Sequence, residues 1–151
     1  MKFKKFTTHL ARPAAENVTK PTHAVLISIS DAGSKLPRLT TGAWLDILSL
    51  QFDDVPDNDP QWMGAGYLPP DAADARQIAE FIVRYRDKSV VAHCEQGISR
   101  SAAVCAVLSN LGWDYVEGGP SGLEYANPLL RRLLRDQFVS LVNEELICHA
   151  P

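Results

Sequence analysis

The sequence predicts a single α/β domain built on a mainly parallel central sheet flanked by helices. Three observations carry that expectation. The run His23-Ala24-Val25-Leu26-Ile27-Ser28-Ile29-Ser30 and the run Ser89-Val90-Val91-Ala92 are apolar and rich in β-branched residues, as buried strands are. A stretch of helical periodicity opens at Asp71 between them. The second run then passes through a short glycine-containing loop into Ala102-Ala103-Val104-Cys105-Ala106-Val107-Leu108, an apolar helix. Strands alternating with helices favour parallel pairing. At 151 residues the chain is one domain with room for a substantial core.

Taken in order, residues 1–22 are polar and Pro-containing, and are expected as an N-terminal arm, either extended or forming an edge element. Residues 23–30 form a buried strand closed by the turn Asp31-Ala32-Gly33. Leu45, Ile47, Leu48, Leu50 and Phe52 mark a second strand. A long polar loop follows from Asp53 to Pro70, carrying Asp53, Asp54, Asp57 and Asp59 with Trp62 and Tyr67. Loops of that length in a small domain are usually functional or mobile. Asp71 caps a helix running to Arg86, with Ala75, Ile78, Ala79, Ile82 and Val83 on its buried face. Gly112 ends the helix after the second apolar run, and residues 113–126 make a Gly-rich surface loop. Asn127-Pro128 starts the last helix as cap and first residue. Its buried face holds Leu130, Leu133, Leu134, Phe138, Leu141 and Val142, while Arg131, Arg132 and Arg135 point to solvent.

Composition narrows the function classes. Hydrophobic residues at 46% and charged residues at 22% are ordinary for a globular protein. A net charge of −3 gives no basic footprint for nucleic acid or an acidic membrane surface, so neither is expected as a partner. The basic start Met1-Lys2-Phe3-Lys4-Lys5-Phe6 lacks the apolar stretch of a signal peptide, and no run approaches a membrane span. Three cysteines without disulfide or zinc spacing fit a reducing compartment, and the cytoplasm is the expected location.

The most specific segment is His93-Cys94-Glu95-Gln96-Gly97-Ile98-Ser99-Arg100-Ser101. A cysteine ending a strand, a glycine loop and an arginine opening a helix together make an anion cradle with a nucleophile at its base. Loop N–H groups and the helix N-terminus attract negative charge. Arg100 adds a planar fork that matches two phosphate oxygens, which lysine cannot copy. The bland alternative is a small buried cysteine beside a helix start, with Arg100 on a solvated face. The joint match of His93, Cys94, Gly97, Arg100 and Ser101 in a strand–loop–helix context argues against it.

This H-C-x5-R-S pattern resembles the signature of the cysteine-dependent protein tyrosine phosphatases, in particular the compact dual-specificity branch with its bacterial and phage relatives. The resemblance runs from about His23 to about Phe138 and implies a phosphotyrosine-phosphatase-like catalytic domain over 23–151. It implies a thiolate nucleophile at Cys94, a phosphate-binding loop of Glu95, Gln96, Gly97, Ile98, Ser99 and Arg100, and a His93 that orders the loop from beneath. Ser101 matches the hydroxyl that helps the thiolate leave when the phosphoenzyme breaks down; alternatively it caps the helix. No metal and no cofactor are implied, and the expected substrate is a phosphoprotein or phosphopeptide.

In this family one upstream aspartate protonates the leaving oxygen and then activates water. Of the four loop aspartates, Asp54 follows Leu50 at the spacing the family uses, and Asp53 is the alternative. Trp62 and Tyr67 either wall the pocket or pack within the loop. Lipid phosphatases of the superfamily place lysines in the loop, where Glu95, Gln96 and Ile98 stand here, which disfavours an inositol head group. Other readings of the same cradle are a rhodanese-like or arsenate-reductase-like thiol enzyme, and a non-catalytic phosphopeptide-binding module. His93, Ser101 and the upstream aspartates favour phosphatase chemistry over the first, and retention of both Cys94 and Arg100 disfavours the second.

Overall fold

The computed structural model describes residues 4–148. Residues 1–3 of the expected arm and 149–151 of the expected domain lie outside them. Five parallel strands form one sheet in the order β3-β2-β4-β1-β5. They are β1 (Phe6–Ala11), β2 (Ala24–Ser30), β3 (Ile47–Gln51), β4 (Ser89–Cys94) and the two-residue β5 (Asp114–Tyr115). The helices are α1 (Arg12–Glu16), α2 (Pro60–Gly64), α3 (Ala72–Arg84), α4 (Arg100–Asn110) and α5 (Pro128–Cys148). The fold class is therefore the expected one.

Strands β2 and β4 are buried along almost their whole length because both faces of the sheet are covered. Val25, Ile27 and Ile29 of β2 and Val90, Ala92 and Cys94 of β4 face a core shared with Ala75 and Ile78 of α3, Val104 of α4 and Leu130 and Leu134 of α5. Ala24, Leu26 and Val91 point the other way, against Trp44, Ala43 and half-buried Phe6 and Leu10. Each fully buried aliphatic side chain contributes on the order of 1.5–3 kcal/mol. Asp71 and Asp74 close a reciprocal capping box that starts α3. The Asn127 Oδ1 accepts from Leu130 N at 2.9 Å to start α5, with Pro128 as its first residue.

Four expectations are corrected. Over the described residues 4–22 the expected N-terminal arm is instead part of the folded domain. Phe6–Ala11 is β1, bonded to β4 on one side and β5 on the other, and Arg12–Glu16 is helical. The folded domain thus begins before His23, whose φ of 58° keeps it out of β2. Thr7 and His9 are fully buried despite their polarity because each has a partner: the Thr7 hydroxyl lies 3.3 Å from Cys105 Sγ, and His9 is bonded at both ring nitrogens. Val83 and Val142 are exposed, and Phe81 takes the buried position at the edge of the α3 stripe. The two long loops also contain short elements, α2 and β5. Among the described residues no helix is long and apolar enough to cross a membrane.

Candidate active site

Parallel strands all end on the same side, and in open α/β sheets ligands bind beyond those carboxyl ends. Here four of the ends meet. Cys94 closes β4, Asp31 follows β2, Phe52 to Asp54 follow β3, and Leu10-Ala11 finish β1 with Arg12 opening α1. Together with the loop into α4 they surround a cleft of about 200 Å³ lined by Cys94, Arg100, Asp31, Asp54 and loop residues 95, 96, 98 and 99.

The loop is held from below and from one side. Gly97 has a φ of 70°, a conformation that favours glycine. It also presses on β1: a Cβ there would stand 2.6 Å from the carbonyl carbon of Leu10. The backbone N–H of Arg12 donates to the Glu95 carbonyl at 3.2 Å, and its guanidinium pairs with the Glu95 carboxylate at 3.1 Å. His93 is fully buried beneath. Its Nδ1 lies 3.3 Å from the Cys94 carbonyl, which can only accept, so Nε2 accepts from the Ser28 hydroxyl at 2.6 Å. Burial pushes the His93 pKa down, in keeping with that neutral tautomer.

Cys94 Sγ sits at the base, 3.2 Å from the Ser101 hydroxyl. A thiolate has no proton to give, so in that state Ser101 is the donor. No side chain caps the first turn of α4, since the Ser99 hydroxyl donates to Asp54 Oδ1 at 2.7 Å instead. The amides of that turn therefore stay open toward the cleft. Arg100 is only 5% exposed. Its Nη1 donates to the Phe52 carbonyl at 2.7 Å and its Nη2 pairs with half-exposed Asp31 at 2.8 Å. Its buried Nε–H has no partner among the described residues. The guanidinium is thus fixed along one edge while its Nε–H is uncommitted.

The four loop aspartates separate by their partners. Asp54 lines the cleft, and its Oδ1 accepts from Ser99 and from Asn127 Nδ2, both at 2.7 Å, while Oδ2 has no hydrogen-bond partner among the described residues. Asp53 is a loop tie: it accepts from Ala32 N at 3.1 Å and Leu68 N at 2.8 Å. Asp57 accepts from Trp62 Nε1 and Asp59 caps α2, and neither lines the cleft. Trp62 and Tyr67 meet edge to face, 5.8 Å between centroids, and are not part of the cleft wall. Cys105 is fully buried on α4, and burial pushes its pKa up to about 12, so it stays a thiol.

Sequence reasoning missed Asp31 as a partner of Arg100, Asn127 as a partner of Asp54, and β1 with Tyr115 as the outer wall of the loop. Asp31 was within reach, because it follows a buried parallel strand just as the loop follows Cys94. Asn127 was visible as a cap, but the second use of its amide group depends on a loop distant in sequence. Nothing in the sequence signalled His9. Compared with known proteins, the chain matches no protein-family model and no curated protein.

Proposed function

We propose that the chain is a metal-independent phosphomonoesterase that hydrolyses phosphotyrosine in a phosphoprotein or phosphopeptide, with phosphoserine and phosphothreonine as candidate further substrates. The observation that carries this reading is the joint lining of one cleft by Cys94, Arg100 and Asp54. In the first step the Cys94 thiolate attacks phosphorus, an S–P bond forms, the P–O ester bond breaks, and Asp54 gives its proton to the departing oxygen. In the second step water attacks phosphorus, Asp54 takes the water's proton, and the S–P bond breaks. Ser101, 3.2 Å from the sulfur, donates to it as it leaves. Arg100, the loop amides and the open α4 terminus stabilise the charge on the equatorial oxygens throughout.

The test is hydrolysis of p-nitrophenyl phosphate in the presence of chelator, with mass spectrometry to trap phosphate on Cys94. Cys94→Ser should abolish turnover and retain phosphate binding. Activity of that variant within a few-fold of wild type would overturn the assignment. Asp54→Asn should depress hydrolysis of phosphotyrosine far more than that of an activated coumarin phosphate, whose oxygen departs without a proton. The same selective loss at Asp53 would move the acid.

A further inference from the structure

His9 is a fully buried imidazole outside the motif that the chemistry above leaves unused. Its Nδ1 lies 2.7 Å from the Gly97 carbonyl oxygen and its Nε2 lies 2.7 Å from the Tyr115 hydroxyl. A carbonyl can only accept, so Nδ1 carries the proton, and Nε2 of the neutral ring accepts from Tyr115. The two rings are within 8° of parallel. Gly119 closes the enclosure: a Cβ there would stand 2.7 Å from the Gly97 oxygen and 2.8 Å from His9 Nδ1.

We propose that His9 is a positioning residue that fixes the orientation of the Gly97–Ile98 peptide unit in the anion cradle, in a tautomer set by Tyr115. The inference rests on the anion-cradle reading of the preceding subsection. In a trans peptide the C=O and the following N–H point in opposite directions. Holding the Gly97 carbonyl on the outer side, against His9, therefore turns the Ile98 N–H the other way, and Ile98 lines the cleft. Glycine tolerates either orientation of its following peptide, so Gly97 by itself leaves the unit free to turn. A turned unit would present a carbonyl oxygen to the anion. The His9 Nδ1–H removes that alternative.

The experiment pairs titration calorimetry with inorganic phosphate and ¹⁵N NMR of the histidine rings. Wild-type His9 should be protonated on Nδ1. His9→Asn sets an amide N–H where Nδ1–H stood and should keep phosphate affinity within about threefold, whereas His9→Gln reaches only the Nε2 position and should lose about tenfold. Gly119→Ala leaves His9 in place but wedges a methyl group against its bond, and should weaken phosphate to a similar extent. It carries the test if His9→Gln does not fold. An Nε2-protonated His9, or unchanged phosphate affinity in folded His9→Gln or Gly119→Ala, would overturn the role of His9 alone. Wild-type protein that binds no phosphate would overturn the cradle reading, and this inference with it.

Discussion

Gly97→Ala isolates how tightly the loop is pressed onto β1, and a second glycine supplies the control. Gly97 and Gly33 have nearly the same backbone, with φ of 70° and 73°. A methyl group at Gly33 would meet nothing within 4 Å, whereas at Gly97 it would overlap the Leu10–Ala11 backbone. Gly33→Ala therefore carries only the cost of a left-handed residue, about 1–2 kcal/mol. Gly97→Ala adds the cost of overpacking, about 1–3 kcal/mol more. The obstacle at Gly97 is backbone held in register against β4, so it cannot rotate aside as a side chain would. Urea denaturation followed by circular dichroism measures both losses, provided the slope with denaturant is unchanged. If the loop yields instead of β1, the extra destabilisation shrinks and phosphate affinity falls in its place. Equal stability losses in the two variants, with phosphate affinity unchanged in Gly97→Ala, would refute the contact.

Three further outcomes follow from the same geometry. Arg100→Lys should lower kcat/KM by about 10²-fold or more, because one ammonium cannot replace the fork that bonds Phe52 and Asp31 and still address the anion; a loss below about tenfold in steady-state assays would remove Arg100 from the clamp. Mild peroxide should oxidise Cys94 before Cys105, whose pKa is pushed up to about 12, with phosphate protecting; mass spectrometry finding the first oxidation on Cys105 would contradict this. Asp74 has a pKa raised by burial to about 6 from an ordinary 3.8, so the folded chain binds a proton that the unfolded chain has released. Its stabilising contribution is therefore complete below about pH 4 and declines as pH rises through about 6; Asp74→Asn should flatten that limb of the stability–pH curve, and an unchanged curve would count against it.

What the sequence disclosed and what it concealed divide along a physical line. The strand–loop–helix around Cys94 was legible because it is contiguous: strand, cysteine, glycine, arginine and helix occupy residues 89–108 without interruption. Helix α3 was legible because its cap and its apolar period are local. The resemblance singled out Asp54 by its spacing from Leu50, and Asp54 alone of the four loop aspartates lines the cleft. Strand β1 was not legible, because hydrophobic patterning counts Thr7, Thr8 and His9 as solvent-facing. The burial of Thr7 and His9 is made tolerable by Cys105, Gly97 and Tyr115, all far away in the chain, and half-buried Thr8 bonds the Val116 carbonyl. Strand β5 is too short for any period to register. Val83 and Val142 sit at the margins of their helical stripes, where periodicity cannot tell the last buried position from the first exposed one.

The polar bonds around the cleft also explain why so many segments are needed to hold one short loop. An anion cradle is effective when its donors are aimed before the charge arrives, so that no reorganisation accompanies the reaction. Backbone loops do not hold such an aim unaided. Here each neighbouring strand end contributes a fastening of its own. The end of β2 pins Arg100 through Asp31, and the end of β3 pins it again through the Phe52 carbonyl. His9 of β1 bonds the Gly97 carbonyl, and Arg12, where β1 passes into α1, fixes Glu95. Asn127, at the start of α5, donates its backbone N–H to the Ser99 carbonyl and its amide to Asp54. The carboxylates at the rim are therefore engaged with groups of the cradle and its supports rather than set to oppose an incoming anion. Asp31 holds the cation, Glu95 is turned to Arg12, and Asp54 has one oxygen bonded and the other without a partner among the described residues. On the phosphatase reading proposed above, an acidic chain would in this way offer a dianion a favourable site, because the acids that surround the site also set the direction of its donors.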